Sequence, residues 1–227
     1  MRPFAILLLI VVTGCGRPLT STELTFAQTL QGTQLDASKV RLVDGAPVGD
    51  MTFRRKARPR VACRERILPA PTDEIITARP AAVTLFNKIY FSRGWYLENY
   101  TPDYPDRIYL IEAMLLAHEL THVWQWQNRA RTGYSPLRAA AEHGSTDDPY
   151  LFDLDSSPAF LDYGYEQQGA IVEEYVCCRA LAPDAARTKR LHAMLKDAFP
   201  VAALPGHKRE SDVYLPWKGA DLEGICA

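Results

Sequence analysis

The run Leu116-Ala117-His118-Glu119-Leu120-Thr121-His122-Val123-Trp124-Gln125 decides how this chain is read. Apolar residues recur before and through it at positions 108, 111, 115, 116, 120 and 123, close to helical spacing. The spacing predicts a helix from about Arg107 to Asn128, with Asp106 placed to cap it. On that helix His118 and His122 lie one turn apart on one face, so both imidazoles can grip one ion. Glu119 sits about 100° round from His118, where it can reach a water on that ion without ligating it. Neutral imidazoles suit Zn²⁺, and a catalytic zinc site takes three protein ligands and leaves a position open. A third ligand is therefore required.

Outward from this helix, Ala82 to Tyr96 is rich in β-branched and aromatic residues and is broken by Asn87-Lys88 and Arg93-Gly94. It reads as two or three strands with tight turns. Residues 133–160 are rich in Gly, Pro and Asp and read as loop. A second helix is expected over Tyr165 to Leu181, stopped by Pro183, and a third from about Asp184 to Phe199. Strands before helices suggest an α+β fold. Candidates for the third ligand are His143, His192, His207 and the glutamates of the second helix. The third His of the metzincin pattern is absent, because Gln125 and Asn128 stand where its Gly and His belong.

The string LAHELTHVWQ is similar to the HELTHVxQ signature of metallopeptidase domains found in bacterial secretion-related proteins. The second helix resembles that of the gluzincin-type metallopeptidases, in which a Glu on a later helix completes the site. The resemblance covers about residues 80–180. It implies a zincin-like fold: a small N-terminal twisted sheet, the HExxH helix, then a Glu-bearing helix. It also implies a zinc cofactor, with His118, His122 and Glu166 as ligands and Glu119 as general base on the water that attacks a peptide carbonyl. Glu166 and Glu173 stand about 10.5 Å apart along a helix axis, so they cannot share one ion. Gly169 and Ala170 follow Glu166 by one turn and would let the two helices approach closely, which favours Glu166. No Asp stands at position 170, so an outer carboxylate would have to come from Glu173 or Glu174.

Residues 1–14 carry Arg2 and an apolar core from Phe4 to Val12, too short to span a bilayer, and end Val12-Thr13-Gly14-Cys15. This resembles a bacterial lipoprotein signal, which implies export and acylation at Cys15. Gly16 follows it, which favours a lipid anchor in the outer membrane, facing the periplasm. Export permits disulfides among Cys63, Cys177, Cys178 and Cys226. A bond between the adjacent Cys177 and Cys178 would be strained, so each should find a distant partner, in either of two pairings. The expected organisation is a signal peptide over 1–14, a polar tether and extension over 15–70, the zincin-like domain over 71–200 and a tail over 201–227. Seven basic side chains between Arg54 and Arg66 read as a solvated face.

The formal net charge of −1 offers no basis for a nucleic-acid partner. The resulting expectation is a lipid-anchored zinc metallopeptidase acting on a peptide or protein substrate in the bacterial envelope. The alternative is a non-catalytic metal-binding lipoprotein with a structural or partner-binding role.

Overall fold

The chain is described here from a computed structural model that covers residues 16–47, 52–206 and 212–227. The leader, Cys15 and His207 lie outside those residues.

The segment expected to be a polar tether enters the core almost at once. Thr20 and Glu23 form a capping box that starts α1 (Ser21–Leu30): the Glu23 amide donates to Thr20 Oγ1, and the Thr20 amide donates to Glu23 Oε2. The Glu23 carboxylate is buried beneath a two-pronged contact from Arg17, at 2.7 and 2.8 Å. Phe26, Ala27 and Leu30 turn inward, and Leu42 of β1 (Arg41–Asp44) is fully buried. Then come β2 (Phe53–Lys56), α2 (Cys63–Ile67), β3 (Ile75–Ala78), β4 (Ala82–Leu85) and β5 (Lys88–Phe91). The expected strands at 82–96 are thus β4 and β5, a hairpin closed by a two-residue turn at Phe86-Asn87, with Phe86 at φ 61°.

Three small sheets result. β5 is the middle strand of the first, with β1 parallel on one side and β4 antiparallel on the other. β2 and β3 pair antiparallel in the second. β6 (Ile108–Tyr109) runs parallel to the strand Val213–Tyr214, which closes the third sheet near the end of the chain. The expected helix begins later than its sequence suggests. α3 (Leu110–Gln127) has Tyr109 at its N-cap with no side-chain cap, because Ile108 and Tyr109 are held as strand.

α3 is the centre of the molecule. Leu110, Ala113, Leu116, Ala117, Leu120, Val123 and Trp124 are all fully buried along one face, and the polar His118, Glu119, Thr121, His122 and Gln125 of the same helix are buried as well. After it come α4 (Arg129–Thr132), α5 (Pro136–Ser145), α6 (Tyr165–Leu181), α7 (Ala186–Ala198) and, as β7, Val213–Tyr214. α5 occupies part of the stretch read as loop; Ser135 caps it and Pro136 opens it. The architecture is α+β. The single twisted sheet of the zincin-like expectation is not what forms: the strands divide among three sheets, and the first comes from residues 41–44. Its physical source is the short apolar pair Val40 and Leu42, both buried, which periodicity over a long window does not register.

Two disulfides tie the remote segments to α6. Cys63 bonds Cys177, and Cys178 bonds Cys226, so adjacent cysteines hold α2 and the C-terminal end against one helix. The Cys63–Cys177 link closes a sequence separation of 114 residues and restricts the unfolded chain accordingly. Replacing both Cys63 and Cys177 by Ser is expected to lower the unfolding free energy by about 2–5 kcal/mol, measured by urea titration.

Candidate metal centre

The close approach of α3 and α6 builds the site. A Cβ added to Gly169 would lie 2.6 Å from His118 Cε1 and 2.8 Å from both ring nitrogens, so only glycine lets the imidazole lie flat on α6. That contact sets Glu166, in the first turn of α6, against the histidine pair. His118 Nε2 and His122 Nε2 are 3.1 Å apart. Glu166 Oε2 lies 3.2 Å from the first and 3.3 Å from the second. A tetrahedral zinc site with bonds of about 2.0–2.1 Å has ligand edges of about 3.3–3.4 Å, so these spacings fit one such ion. All three residues are buried.

The outer contacts fix the ring orientations. His122 Nδ1 is 2.8 Å from Gln125 Oε1. The Gln125 amide nitrogen donates to Tyr165 O and Gln168 Oε1, which fixes the acceptor end on His122. His122 therefore carries a proton on Nδ1 and turns Nε2 toward His118 and Glu166. His118 Nδ1 is buried without a hydrogen bond and faces Glu173 Oε1 at 3.6 Å. Glu173 is itself paired with Arg64 at 2.6 Å. Glu174 points elsewhere, accepting from the Cys63 amide and from Arg187. Of the two outer carboxylates considered from sequence, Glu173 is the one at the site.

The start of α6 is held by a residue that sequence reasoning passed over. Tyr165 N and Glu166 N donate to the two carboxylate oxygens of Glu142, at 2.8 and 3.0 Å. Glu142 caps the helix from α5, satisfying amides its own chain leaves open. His143 beside it places Nε2 3.3 Å from Glu166 Oε1. His192 is not at the site, its Nδ1 lying 2.9 Å from Tyr175 Oη. The rings of Tyr134 and Tyr150 flank His122 and His118, at centroid distances of 6.1 and 5.7 Å. Tyr163 and Tyr165, by contrast, spend their hydroxyls on backbone carbonyls.

Glu119 lies on the next face of α3, buried but outside the three-donor cluster. The Thr84 hydroxyl of β4 donates to Glu119 Oε2 at 2.6 Å and holds the carboxylate in one rotamer. The charges are strongly coupled. Burial would raise the Glu166 carboxyl, but the charge of His122 and hydrogen bonds from His118, His122 and His143 hold it well below the usual carboxylate range. Burial would lower His122, yet Glu166, Glu119 and Gln125 outweigh it and push its pKa up to about 9.

No protein-family model matches the chain. The type VI secretion system spike protein VgrG2b of Pseudomonas aeruginosa is 25% identical over 185 residues. The chain is similar to part of a secretion spike. The match takes in 82% of this chain and spans 15% of the relative. A solved structure, the effector domain of Pseudomonas aeruginosa VgrG2b, is similar at a TM-score of 0.48 and 25% identity, over 80% of this chain and 82% of that one.

These findings correct the family expectation. The sequence likeness is to a type VI secretion spike protein, and the gluzincin and HELTHVxQ assignment falls. With it fall the envelope metallopeptidase on a lipoprotein and its alternative, the non-catalytic lipoprotein. The physical reason is that two imidazoles one helical turn apart solve a local problem, holding one ion, and a string of ten residues carries that solution without its family.

Gly169→Ala should weaken zinc binding about 10–100-fold by pushing the His118 ring aside, measured by competition with a chromophoric chelator. A cation must also displace the His122 proton, so apparent affinity should rise about tenfold per pH unit and level off above pH about 9. The same competition run from pH 6.5 upward, over about four units, checks the slope.

Proposed function

We propose that this chain is a metal-dependent hydrolase, with zinc as its resident cation held by His118, His122 and Glu166. The reading rests on one observation: three buried donors converge at spacings of 3.1–3.3 Å while a second acid, Glu119, is held beside them but apart. A purely structural site would use four protein ligands and has no need of a separate, oriented carboxylate. Zinc, when bound, supplies Lewis acidity toward a carbonyl-type substrate.

The chain's own residues divide the remaining work. Glu119 accepts a proton from the attacking water and returns it to the leaving group, the ordinary task of a general base turned acid. Thr84 holds Oε2 of that carboxylate, which leaves Oε1 as the oxygen to take the proton. Gln125 keeps His122 in the tautomer that ligates, and Glu142 keeps Glu166 at the head of its helix. Tyr134 and Tyr150 shield the histidines from bulk water, which strengthens every charge interaction at the centre. The substrate class this chemistry suits is an acyl compound with a poor leaving group, an amide or an ester.

The likeness to VgrG2b supports a role connected with a type VI secretion apparatus. Export is a further proposal, supported by the apolar stretch Phe4 to Val12 behind Arg2. Cell fractionation with N-terminal sequencing of the mature chain would test it.

Glu119→Gln is expected to keep stoichiometric zinc and lose turnover by about 10²–10⁴-fold on amide and ester substrates. Turnover surviving that change would remove Glu119 from the mechanism. Thr84→Val should lower kcat and leave KM and zinc content unchanged, because it frees the carboxylate without touching the donors.

A further inference from the structure

The cleft that opens onto His118 and Glu119 is lined by four arginines, and Arg55 among them pairs with no acid of the described residues. It encloses about 170 Å³ and is lined by Arg55, Arg58, Arg64 and Arg79 as well as by the acids Glu119 and Glu173. A larger cavity of about 610 Å³ lies beyond Arg58 and is lined by neither histidine of the metal centre nor Glu119.

Two of the arginines are committed to acids. Arg58 grips Asp148 through Nε and Nη2 at 2.5 and 2.7 Å and reaches Glu65 at 3.3 Å. Arg64 is paired with Glu173. Arg55 differs. Its one side-chain hydrogen bond goes to the carbonyl of Lys56, and no carboxylate among the described residues lies within ion-pair distance of it. It is half-buried on β2, beside the committed Arg58. Partial burial and the charge of Arg58 lower its pKa, against the smaller opposing pull of Asp148 and Glu65. A guanidinium so placed is a fork of donors lacking its natural acceptor, and a carboxylate fits that fork with two parallel hydrogen bonds.

Resting on the reading of this cleft as the reaction site, we propose that Arg55 is a specificity residue that binds a carboxylate carried by the substrate next to the scissile bond. Arg55 and Glu119 line the same cleft, so a molecule whose carboxylate is held by the one has its neighbouring bonds in the space that the other faces. Glu119 and Glu173 set the charge. Two carboxylates in the same cleft disfavour a dianion, so a singly charged carboxylate is preferred to a phosphate monoester. The substrate class is an acidic acyl compound, such as a chain with a glutamyl or aspartyl unit at the bond to be cut.

The test reads binding and needs no turnover. N-acetylglutamate α-amide and N-acetylglutamine amide, which differ only in the side-chain carboxylate, are titrated into the zinc-loaded chain and followed by NMR. The acid is expected to bind at least about tenfold more tightly than the amide. Arg55→Gln should bring the ratio to near one. Arg55→Lys, which keeps the charge and loses the fork, should keep part of it. Arg54→Gln removes the same charge from the exposed neighbour on β2 and should leave the ratio unchanged. Each variant is compared with the parent by circular dichroism and thermal melting.

Equal binding of acid and amide by the parent chain would overturn the proposal. So would a tenfold preference that survives Arg55→Gln, or tighter binding of O-phosphoserine amide than of the glutamate. An inactive protein that still prefers the acid through Arg55 would retain this proposal and reject the hydrolase reading, so the two fail separately.

Discussion

The absence of a side chain at Gly169 is the constraint on which the site depends. α3 and α6 are both buried, and two buried helices ordinarily stand apart by the thickness of the side chains between them. At Gly169 that thickness falls to a hydrogen, and the His118 ring fills the space, with even an added Cβ brought to within 2.6 Å of it. Glu166 is one turn earlier on α6 and is carried to the histidines by the same approach. The two disulfides work to the same end, since Cys177 and Cys178 clamp the far part of α6 to α2 and to the tail.

Such closeness has an electrostatic consequence. A carboxylate and two imidazoles packed out of water form an arrangement that is costly unless positive charge lies among them. The raised pKa of His122 and the lowered one of Glu166 express that need in the absence of a cation. The polar supports at Gln125 and Glu142 hold His122 and the start of α6 in place, and Thr84 holds Glu119 beside the cluster. The arginines around the cleft extend the pattern outward: Arg64 balances Glu173 and Arg58 balances Asp148, while Arg55 forms no ion pair among the described residues.

Local signals made the long elements legible. The spans of α6 and α7 follow from their turn residues and apolar spacing, and the β4–β5 hairpin follows from its β-branched and aromatic content. The misses share a cause. α1 is announced only by the capping box of Thr20 and Glu23, a four-residue signal inside a polar stretch. Asp106 reads as a helix cap until the distant Val213–Tyr214 strand takes Ile108 and Tyr109 into a sheet. Arg58 and Arg64 read as a solvated basic run, although their acids, Asp148 and Glu173, come from 90 and 109 residues away. Likeness in the ten-residue string around His118 likewise proved a poor guide to family, because so short a string encodes a local side-chain arrangement rather than ancestry.

By itself the sequence determined that His118 and His122 share a helical face with Glu119 beside them, since helix periodicity operates over four residues and needs no partner. It also placed Gly169 and Glu166 one turn apart on a second helix. Only the tertiary structure decided that Glu166 lies against both histidines and Glu173 against His118 alone, that Gln125 and Thr84 orient His122 and Glu119, and that Cys63 pairs with Cys177. Those outcomes join residues tens of positions apart, and which of them touch is set by the packing of whole elements, a quantity that no local pattern of residues contains.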